Sequence, residues 1–313
     1  MLLEIFFIAL GFGLLIKGAD FLVDGAGGVA KKFNIPEIII GLTIVSIGTS
    51  APELFISVGS VLAGLEDFSI GNVVGSNITN LLLILGITAI ITPIYFKSNT
   101  KLIEIPLCLF FTVVFIILCN IGNQISRIDA IILLISFIFF IVYTINIGKK
   151  NKEKNIDQGE IVERNVWINI VYILIGIIAL KIGGDFVVNN AEKLASSFNI
   201  SEHIISLTII AIGTSLPELV TSVVSAFKKE ADLAVGNVIG SNIFNMLLVI
   251  GTTGMIKPIT YNPEYNVQMT ILLLATILIY FFPHIDKKDQ MTKSDGLMYV
   301  SMYAVYMFML FVS

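Results

Sequence analysis

The chain alternates long apolar runs with short polar segments. About ten runs reach the roughly 20 residues that an α-helix needs to cross a bilayer. The longest polar stretch, KKNKEKNIDQGEIVER (149–164), separates the fifth run from the sixth. The pattern predicts an all-α polytopic membrane protein of ten transmembrane helices, with spans near 3–25, 38–63, 70–92, 102–121, 128–147, 167–190, 203–227, 233–256, 267–283 and 295–312.

Composition supports this class. Of 313 residues, 56% are hydrophobic and 13% are charged, whereas soluble domains are about a quarter charged. No long basic run is present, so nucleic-acid binding has no support. The first run carries Glu4 instead of a basic flank, which favours a first transmembrane helix over a signal peptide. Cys108 and Cys119 would lie roughly 16 Å apart along one helix, too far for a disulfide.

The chain contains an internal repeat. Residues 18–94 align with residues 183–259 at a shift of 165, and roughly half the aligned positions are identical. GTSAPE (48–53) meets GTSLPE (213–218), and GNVVGSNITN (71–80) meets GNVIGSNIFN (236–245). Because five spans per half is an odd number, the second copy must enter the membrane from the opposite side. We therefore expect a first five-helix repeat (1–148), a cytoplasmic linker (149–166) and a second, inverted five-helix repeat (167–313).

Lysine and arginine predict the orientation. The loops after even-numbered spans hold only Arg127, Lys193 and Lys257. By the positive-inside rule, the odd-numbered loops are cytoplasmic and both termini lie outside, in what we expect to be the cell membrane. The residues that decide this are Lys31, Lys32, Lys97, Lys101, Lys149, Lys150, Lys152, Lys154, Arg164, Lys228, Lys229, Lys287, Lys288 and Lys293.

Two carboxylates lie deep in the predicted membrane. Glu53 and Glu218 fall near the middle of their spans, where a charged side chain is costly and marks function by default. Pro52 and Gly48 weaken the helix just before Glu53, and the second copy repeats this arrangement. The helix should break there and free backbone carbonyls, which are tolerated at that depth where they line a cavity.

Neutral oxygens accompany these carboxylates. Thr49, Ser50, Thr214 and Ser215 add hydroxyls within the two hexapeptides, and one span later Ser76 and Asn80, with Ser241 and Asn245, repeat every four residues on one helix face. The alternative for this second string is helix packing through small residues and amide hydrogen bonds. An all-oxygen set suits calcium or sodium. Without histidine or cysteine ligands, zinc and copper are disfavoured.

At these residues the sequence resembles the calcium/cation antiporter superfamily, and within it the sodium/calcium exchangers. The resemblance implies a ten-helix inverted architecture in which Glu53 and Glu218 are the central ion ligands. It implies that calcium and sodium compete for overlapping sites during alternating access, with calcium extruded by sodium influx and a monomer sufficient for transport. The further implied ligands are oxygens of Thr49, Ser50, Thr214, Ser215, Ser76, Asn80, Ser241 and Asn245, and the backbone at Ser46 and Ala211.

Other functions remain open at this stage. Potassium-dependent exchangers carry aspartate where Asn245 stands, and the proton/calcium branch has glutamate where Gly75 and Gly240 follow the GN pairs. Both branches are therefore less favoured. An ion channel could use the same oxygens, whereas an intramembrane hydrolase lacks a credible catalytic partner. We expect no enzyme activity and no cofactor; the expected partners are calcium, sodium and membrane lipid.

Overall fold

The computed structural model describes residues 2–33, 35–150, 165–198, 211–285 and 289–312, and this part of the chain is mostly helical. Within these residues, seven helices are long and apolar enough to cross a membrane, or eight if one bent pair counts as a single span. Most of the predicted linker and the start of the predicted seventh span, 203–210, lie outside the described residues. The final helix, Lys293–Val312, has 20 residues but is less apolar than the seven. The count of ten remains a prediction.

Helices follow one another in the same order in both halves. The first half contains α1 (Leu2–Phe33), α2 (Glu37–Ile40), the π-helical segment π1 (Gly41–Val45), α3 (Ser46–Thr49), α4 (Ala51–Leu62), α5 (Glu66–Ile78), π2 (Thr79–Leu85), α6 (Gly86–Ile91), π3 (Thr100–Glu104), α7 (Ile105–Asn120) and α8 (Arg127–Lys150). The second half contains α9 (Val166–Ser197), α10 (Ala211–Gly213), α11 (Leu216–Phe227), α12 (Ala231–Phe244), π4 (Asn245–Val249), α13 (Ile250–Ile256), a 3-10 turn (Pro263–Tyr265), α14 (Asn266–Ile285) and α15 (Lys293–Val312).

Two short antiparallel ladders join the halves. β1 (Ile94–Tyr95) pairs with β4 (Gln290–Met291), and β2 (Gln124–Ile125) pairs with β3 (Ile259–Thr260). Each ladder therefore connects a loop of one half to a loop of the other.

The helices that carry the GNV motifs form the centre of the molecule. The apolar stretch through α12, π4 and α13 is 94% buried, compared with 22% for α1. Apolar side chains of both halves, among them Leu81 and Leu247, meet in one core around these helices. Polar groups in the middle of these helices, such as Ser76 and Asn237, are therefore removed from both water and lipid.

Helix α1 packs closely along α9. A Cβ atom added at Gly176 would lie 2.7 Å from the Leu22 nitrogen and 2.8 Å from the Gly18 oxygen. Glycine is therefore required at Gly176 for the two backbones to approach this closely.

Both long helices extend beyond the predicted spans, which were expected to end at residues 25 and 190. Helix α1 continues to Phe33 and α9 to Ser197. In α1, Lys31 and Lys32 occupy the last turn, where positive charge stabilises the helix C-terminus. Lys228 forms ion pairs with Asp20 and Asp24, so these carboxylates are compatible with a continuing helix.

Candidate ion-binding site

The predicted helix break is present. The segments Glu37–Thr49 and Ala51–Leu62 meet at a 44° bend, and Glu53 lies in the first turn of α4. Glu218 lies in the first turn of α11, which begins at Leu216 and Pro217 just as α4 begins at Ala51 and Pro52. Proline is tolerated in a first helical turn because the N–H it lacks has no intrahelical partner there. Each carboxylate is 1% exposed and sits at a helix N-terminus, which favours negative charge.

Glu218 is surrounded by hydroxyl groups from both halves. The Ser50 hydroxyl donates to Glu218 Oε1 at 2.8 Å, and the Ser241 hydroxyl donates to the same oxygen at 3.4 Å. Thr49 also lies near this carboxylate, and its hydroxyl donates to Asn237 Oδ1 at 3.0 Å. The broken helix of the first half thus contacts the carboxylate of the second.

Glu53 has the corresponding surroundings. Ser76, from the following helix of its own half, and Thr214, from the other half, lie near its carboxylate. Among the described residues, the Thr214 and Ser215 hydroxyls have no hydrogen-bond partner. Glu53 and Glu218 are close enough for their charges to interact.

Asn72 and Asn237 hold each broken helix to the helix that follows it. Asn237 Nδ2 donates to Ser222 Oγ at 3.1 Å and to the Glu218 carbonyl at 3.4 Å. Asn72 Nδ2 donates to Ser57 Oγ at 3.0 Å and to the Glu53 carbonyl at 3.5 Å. These two amides therefore join neighbouring helices, as the helix-packing alternative expects, although they share a helical face with the proposed ion ligands.

Packing also explains the glycines of the second GNV motif. A Cβ atom at Gly236 would lie 2.5 Å from the Ile38 oxygen, and one at Gly240 would lie 2.7 Å from Ser46 Oγ. The absence of side chains at these two positions lets α12 contact α2 and α3 of the first half. The motif GNVIGSNIFN (236–245) therefore combines close helix packing, at Gly236 and Gly240, with buried polar side chains.

A group of buried oxygens in this region has no hydrogen-bond partner in the described part of the chain. Leaving such an atom unsatisfied costs about 1–3 kcal/mol. Calcium takes 6–8 oxygen ligands from carboxylates, carbonyls and amides, so a cation bound here would satisfy them. The atoms are Glu53 Oε2, Glu218 Oε2, Asn80 Oδ1, Asn245 Oδ1, Thr214 Oγ1 and Ser215 Oγ.

The two backbone positions in the expected ligand set differ in what the structure shows. The Ser46 carbonyl accepts hydrogen bonds from the Ser50 N–H at 3.0 Å and from the Thr49 hydroxyl at 3.4 Å. A carbonyl has two lone pairs, and both hydrogen bonds compete with an ion for them. Ala211 is the first described residue of α10.

Two further hydroxyls were not among the residues expected to bind ions. Thr221 and Ser225 are fully buried on α11, and neither hydroxyl oxygen has a partner among the described residues. They follow Glu218 by three and seven residues, which places all three on one helical face. That spacing in the sequence could have identified Thr221 and Ser225 as neighbours of the Glu218 side chain.

Known proteins with the same architecture bear on this site. The profile of the family described as "Sodium/calcium exchanger protein" matches residues 3–146 and 168–312. The chain belongs to the sodium/calcium exchanger family. Members of this family are transporters of sodium and calcium and not enzymes.

Individual relatives match along the full length of this exchanger-family chain. It is 35% identical to the putative antiporter CaxA of Alkalimonas amylolytica, with 100% of both proteins covered. It is 29% identical to the sodium/calcium exchanger MaX1 of Methanosarcina acetivorans, with 97% of each covered. The solved structure of the sodium-calcium exchanger NCX_Mj matches with a TM-score of 0.85 and 32% identity, covering 97% of each chain. The exchanger is thus an integral membrane protein with the NCX_Mj fold.

Proposed function

We propose that this protein is a secondary active antiporter that exchanges sodium for calcium by alternating access and extrudes calcium with the energy of the sodium gradient. One observation carries the proposal: Glu53 and Glu218 are both buried and interact electrostatically, and hydroxyls from both halves, those of Ser50 and Ser241, donate to the Glu218 carboxylate. Two carboxylates balance one calcium or two sodium ions, so occupancy by one ion excludes the other. Exclusive occupancy is what an antiporter requires.

The proposed ion ligands are those expected from the sequence. Glu53 and Glu218 supply the charge, and the neutral oxygens around them supply the remaining coordination. Both acids sit in the first turn of a helix that follows a break, which resembles the discontinuous helices of secondary transporters. The neutral ligands are Thr49, Ser50, Thr214, Ser215, Ser76, Asn80, Ser241 and Asn245, with backbone oxygen at Ser46 and Ala211.

The proposed architecture has ten transmembrane helices in two inverted repeats, residues 1–148 and 167–313, joined by the cytoplasmic linker 149–166. Both termini face outward in the cell membrane, and a monomer is sufficient for transport. The 165-residue sequence repeat and the lysine distribution support this arrangement. In this arrangement, corresponding helices of the two halves line the paths by which ions reach the site from the two sides of the membrane.

Flux through purified protein tests the function. Proteoliposomes loaded with sodium, potassium, choline or acidic buffer are diluted into medium containing radiolabelled calcium, and initial uptake is measured. We expect uptake only when sodium is inside. Equal uptake driven by a proton gradient alone indicates a proton/calcium antiporter, and a requirement for potassium indicates a potassium-dependent exchanger. Calcium entry without any counter-ion indicates a channel.

A further inference from the structure

Four asparagines form a symmetric network between the halves. Asn245 Nδ2 donates to Asn77 Oδ1 at 3.1 Å, and Asn80 Nδ2 donates to Asn242 Oδ1 at 3.0 Å. The 165-residue shift converts one pair into the other. All four side chains are at most 1% exposed, and each pair joins one half to the other.

Backbone carbonyls fix the orientation of this network. Asn77 Nδ2 donates to the Asn242 carbonyl at 3.3 Å, and Asn242 Nδ2 donates to the Asn77 carbonyl at 3.2 Å. A carbonyl only accepts hydrogen bonds, so the amide nitrogen of each must face it. The amide oxygens of Asn77 and Asn242 are then left to accept from the next amides, those of Asn245 and Asn80.

This chain of donors leaves two oxygens pointing away from the network. The nitrogens of Asn80 and Asn245 donate within the network, and their Oδ1 atoms are buried with no partner among the described residues. If the Asn245 amide were reversed, its oxygen would face the Asn77 oxygen, and two acceptors would repel each other. The favoured orientation therefore presents oxygen, not NH₂, at both positions.

We infer that Asn77 and Asn242 are positioning residues that hold the amide oxygens of Asn245 and Asn80 toward the transported cation. The inference rests on the proposed function, because it assumes that Asn80 and Asn245 are ion ligands. An NH₂ group would repel a cation, whereas an oriented amide oxygen coordinates calcium. Asn77 and Asn242 thus act on the ion through the neighbouring amides.

Substitutions of Asn77 test this role. Asn77→Leu and the smaller change Asn77→Ser both remove the oxygen that accepts from Asn245. Each should raise the calcium concentration for half-maximal exchange by about tenfold, with a smaller effect on the maximal rate. Asn190→Ser, which alters an amide bonded to the Phe186 carbonyl of its own helix, is the control.

Double substitutions separate positioning from a general structural effect. Because Asn77 acts through Asn245, Asn77→Ser should add little to the loss of calcium affinity in an Asn245→Ala background. It should add its full effect in an Asn80→Ala background, because Asn80 is bonded to Asn242. Calcium-induced thermal stabilisation in detergent provides a second measure of affinity that does not depend on transport.

The outcomes are distinct. The inference is overturned if the Asn77→Ser and Asn77→Leu variants fold and their half-maximal calcium concentration stays within about twofold of the unmodified value. It is also overturned if Asn77→Ser causes the same further loss of calcium affinity in the Asn245→Ala and Asn80→Ala backgrounds. If the unmodified chain neither exchanges calcium nor is stabilised by it, the proposed function fails, and the inference fails with it. Normal exchange by the unmodified chain with unaffected variants rejects the positioning role alone.

Discussion

The Ser50 hydroxyl donates to Glu218 Oε1 at 2.8 Å, joining residues that are 168 positions apart. Ser50 precedes the proline of one hexapeptide, and Glu218 follows the proline of the other. The broken helix of the first half thus contributes a hydroxyl to the carboxylate of the second half, and Thr214 of the second half lies near Glu53. In the proposed site, neither hexapeptide is complete without its counterpart.

This contact predicts unequal effects of two equivalent serines. Ser50→Ala removes a buried hydrogen bond to a carboxyl group and should lower the unfolding free energy in ion-free detergent by about 1–3 kcal/mol. Ser215 occupies the corresponding position, but its hydroxyl makes no hydrogen bond to any residue that the structure describes. Ser215→Ala should therefore cost less than about 0.5 kcal/mol. Equal losses in chemical unfolding experiments would show that the contact is not important for stability.

The close approach of α1 and α9 predicts that one glycine is needed and another is dispensable. Gly176→Ala places a methyl group against the backbone of Leu22 and should destabilise the protein by about 1–3 kcal/mol. Gly13 lies on α1, the partner helix of α9, and has nothing within 4 Å of an added Cβ atom. Gly13→Ala should be neutral or stabilise by up to about 1 kcal/mol, because alanine favours helix. Thermal unfolding in detergent measures both, and a tolerated Gly176→Ala would contradict the packing.

A carboxyl group outside the membrane-spanning segments should make stability depend on pH. Burial, followed by the charge of Glu37, raises the pKa of Glu230 from 4.5 to about 7, although Lys31 and Lys228 act in the opposite direction. The folded protein therefore holds this proton more tightly than the unfolded chain does. The stabilisation is complete below about pH 4.5 and is lost as pH rises through about 7.

Glu230→Gln should remove this dependence. The variant should gain stability relative to the unmodified chain as pH rises from 4.5 to 8, measured as the difference between their unfolding temperatures. Glu66 is the control of opposite sign, because a hydrogen bond from Lys257 lowers the pKa of its carboxyl group. Glu66→Gln should lose stability relative to the unmodified chain above pH 4.5, and the difference should shrink as pH falls below it. A pH-independent difference for Glu230→Gln would contradict the assignment.

Asn245→Asp probes ion selectivity. The substitution adds a third carboxylate and removes the amide donor that faces Asn77. One calcium no longer balances the charge of the site, so a further cation or a proton is needed. We expect calcium exchange by the variant to acquire potassium dependence or stronger pH sensitivity than the unmodified chain, measured in the same proteoliposomes. Unchanged responses to both potassium and pH would show that position 245 does not control cation choice.

The mostly helical membrane fold and the burial of Glu53 and Glu218 could be predicted from the sequence. The break before Glu53 follows from Gly48 and Pro52, whose effects on a helix are local and do not depend on the surroundings. The family resemblance also follows from local strings, and the matched family confirms it.

Features that depend on tertiary contacts were harder to predict. Asn72 and Asn80 are eight residues apart and so share a helix face, yet Asn72 packs against α4 whereas Asn80 bonds across to Asn242. The π-helical segments add a second difficulty. π2 and π4 begin at Thr79 and Asn245 and continue into apolar residues, LLLIL and MLLV, which an α-helix would accommodate equally well. The partners of α5 and α12 in the other half decide these features, and a single string cannot specify them.

The central claim is that Glu53 and Glu218 form one calcium site between the two halves. Equilibrium dialysis of the purified chain with radiolabelled calcium tests it most directly, using the unmodified chain, Glu53→Gln and Glu218→Gln at equal protein concentration, each shown to be folded by its unfolding transition. We predict about one calcium per chain, because two carboxylates balance one divalent ion, and loss of that calcium in each single variant. Retention of calcium at normal affinity by either folded variant, or two equivalent calcium ions per unmodified chain, would contradict the account.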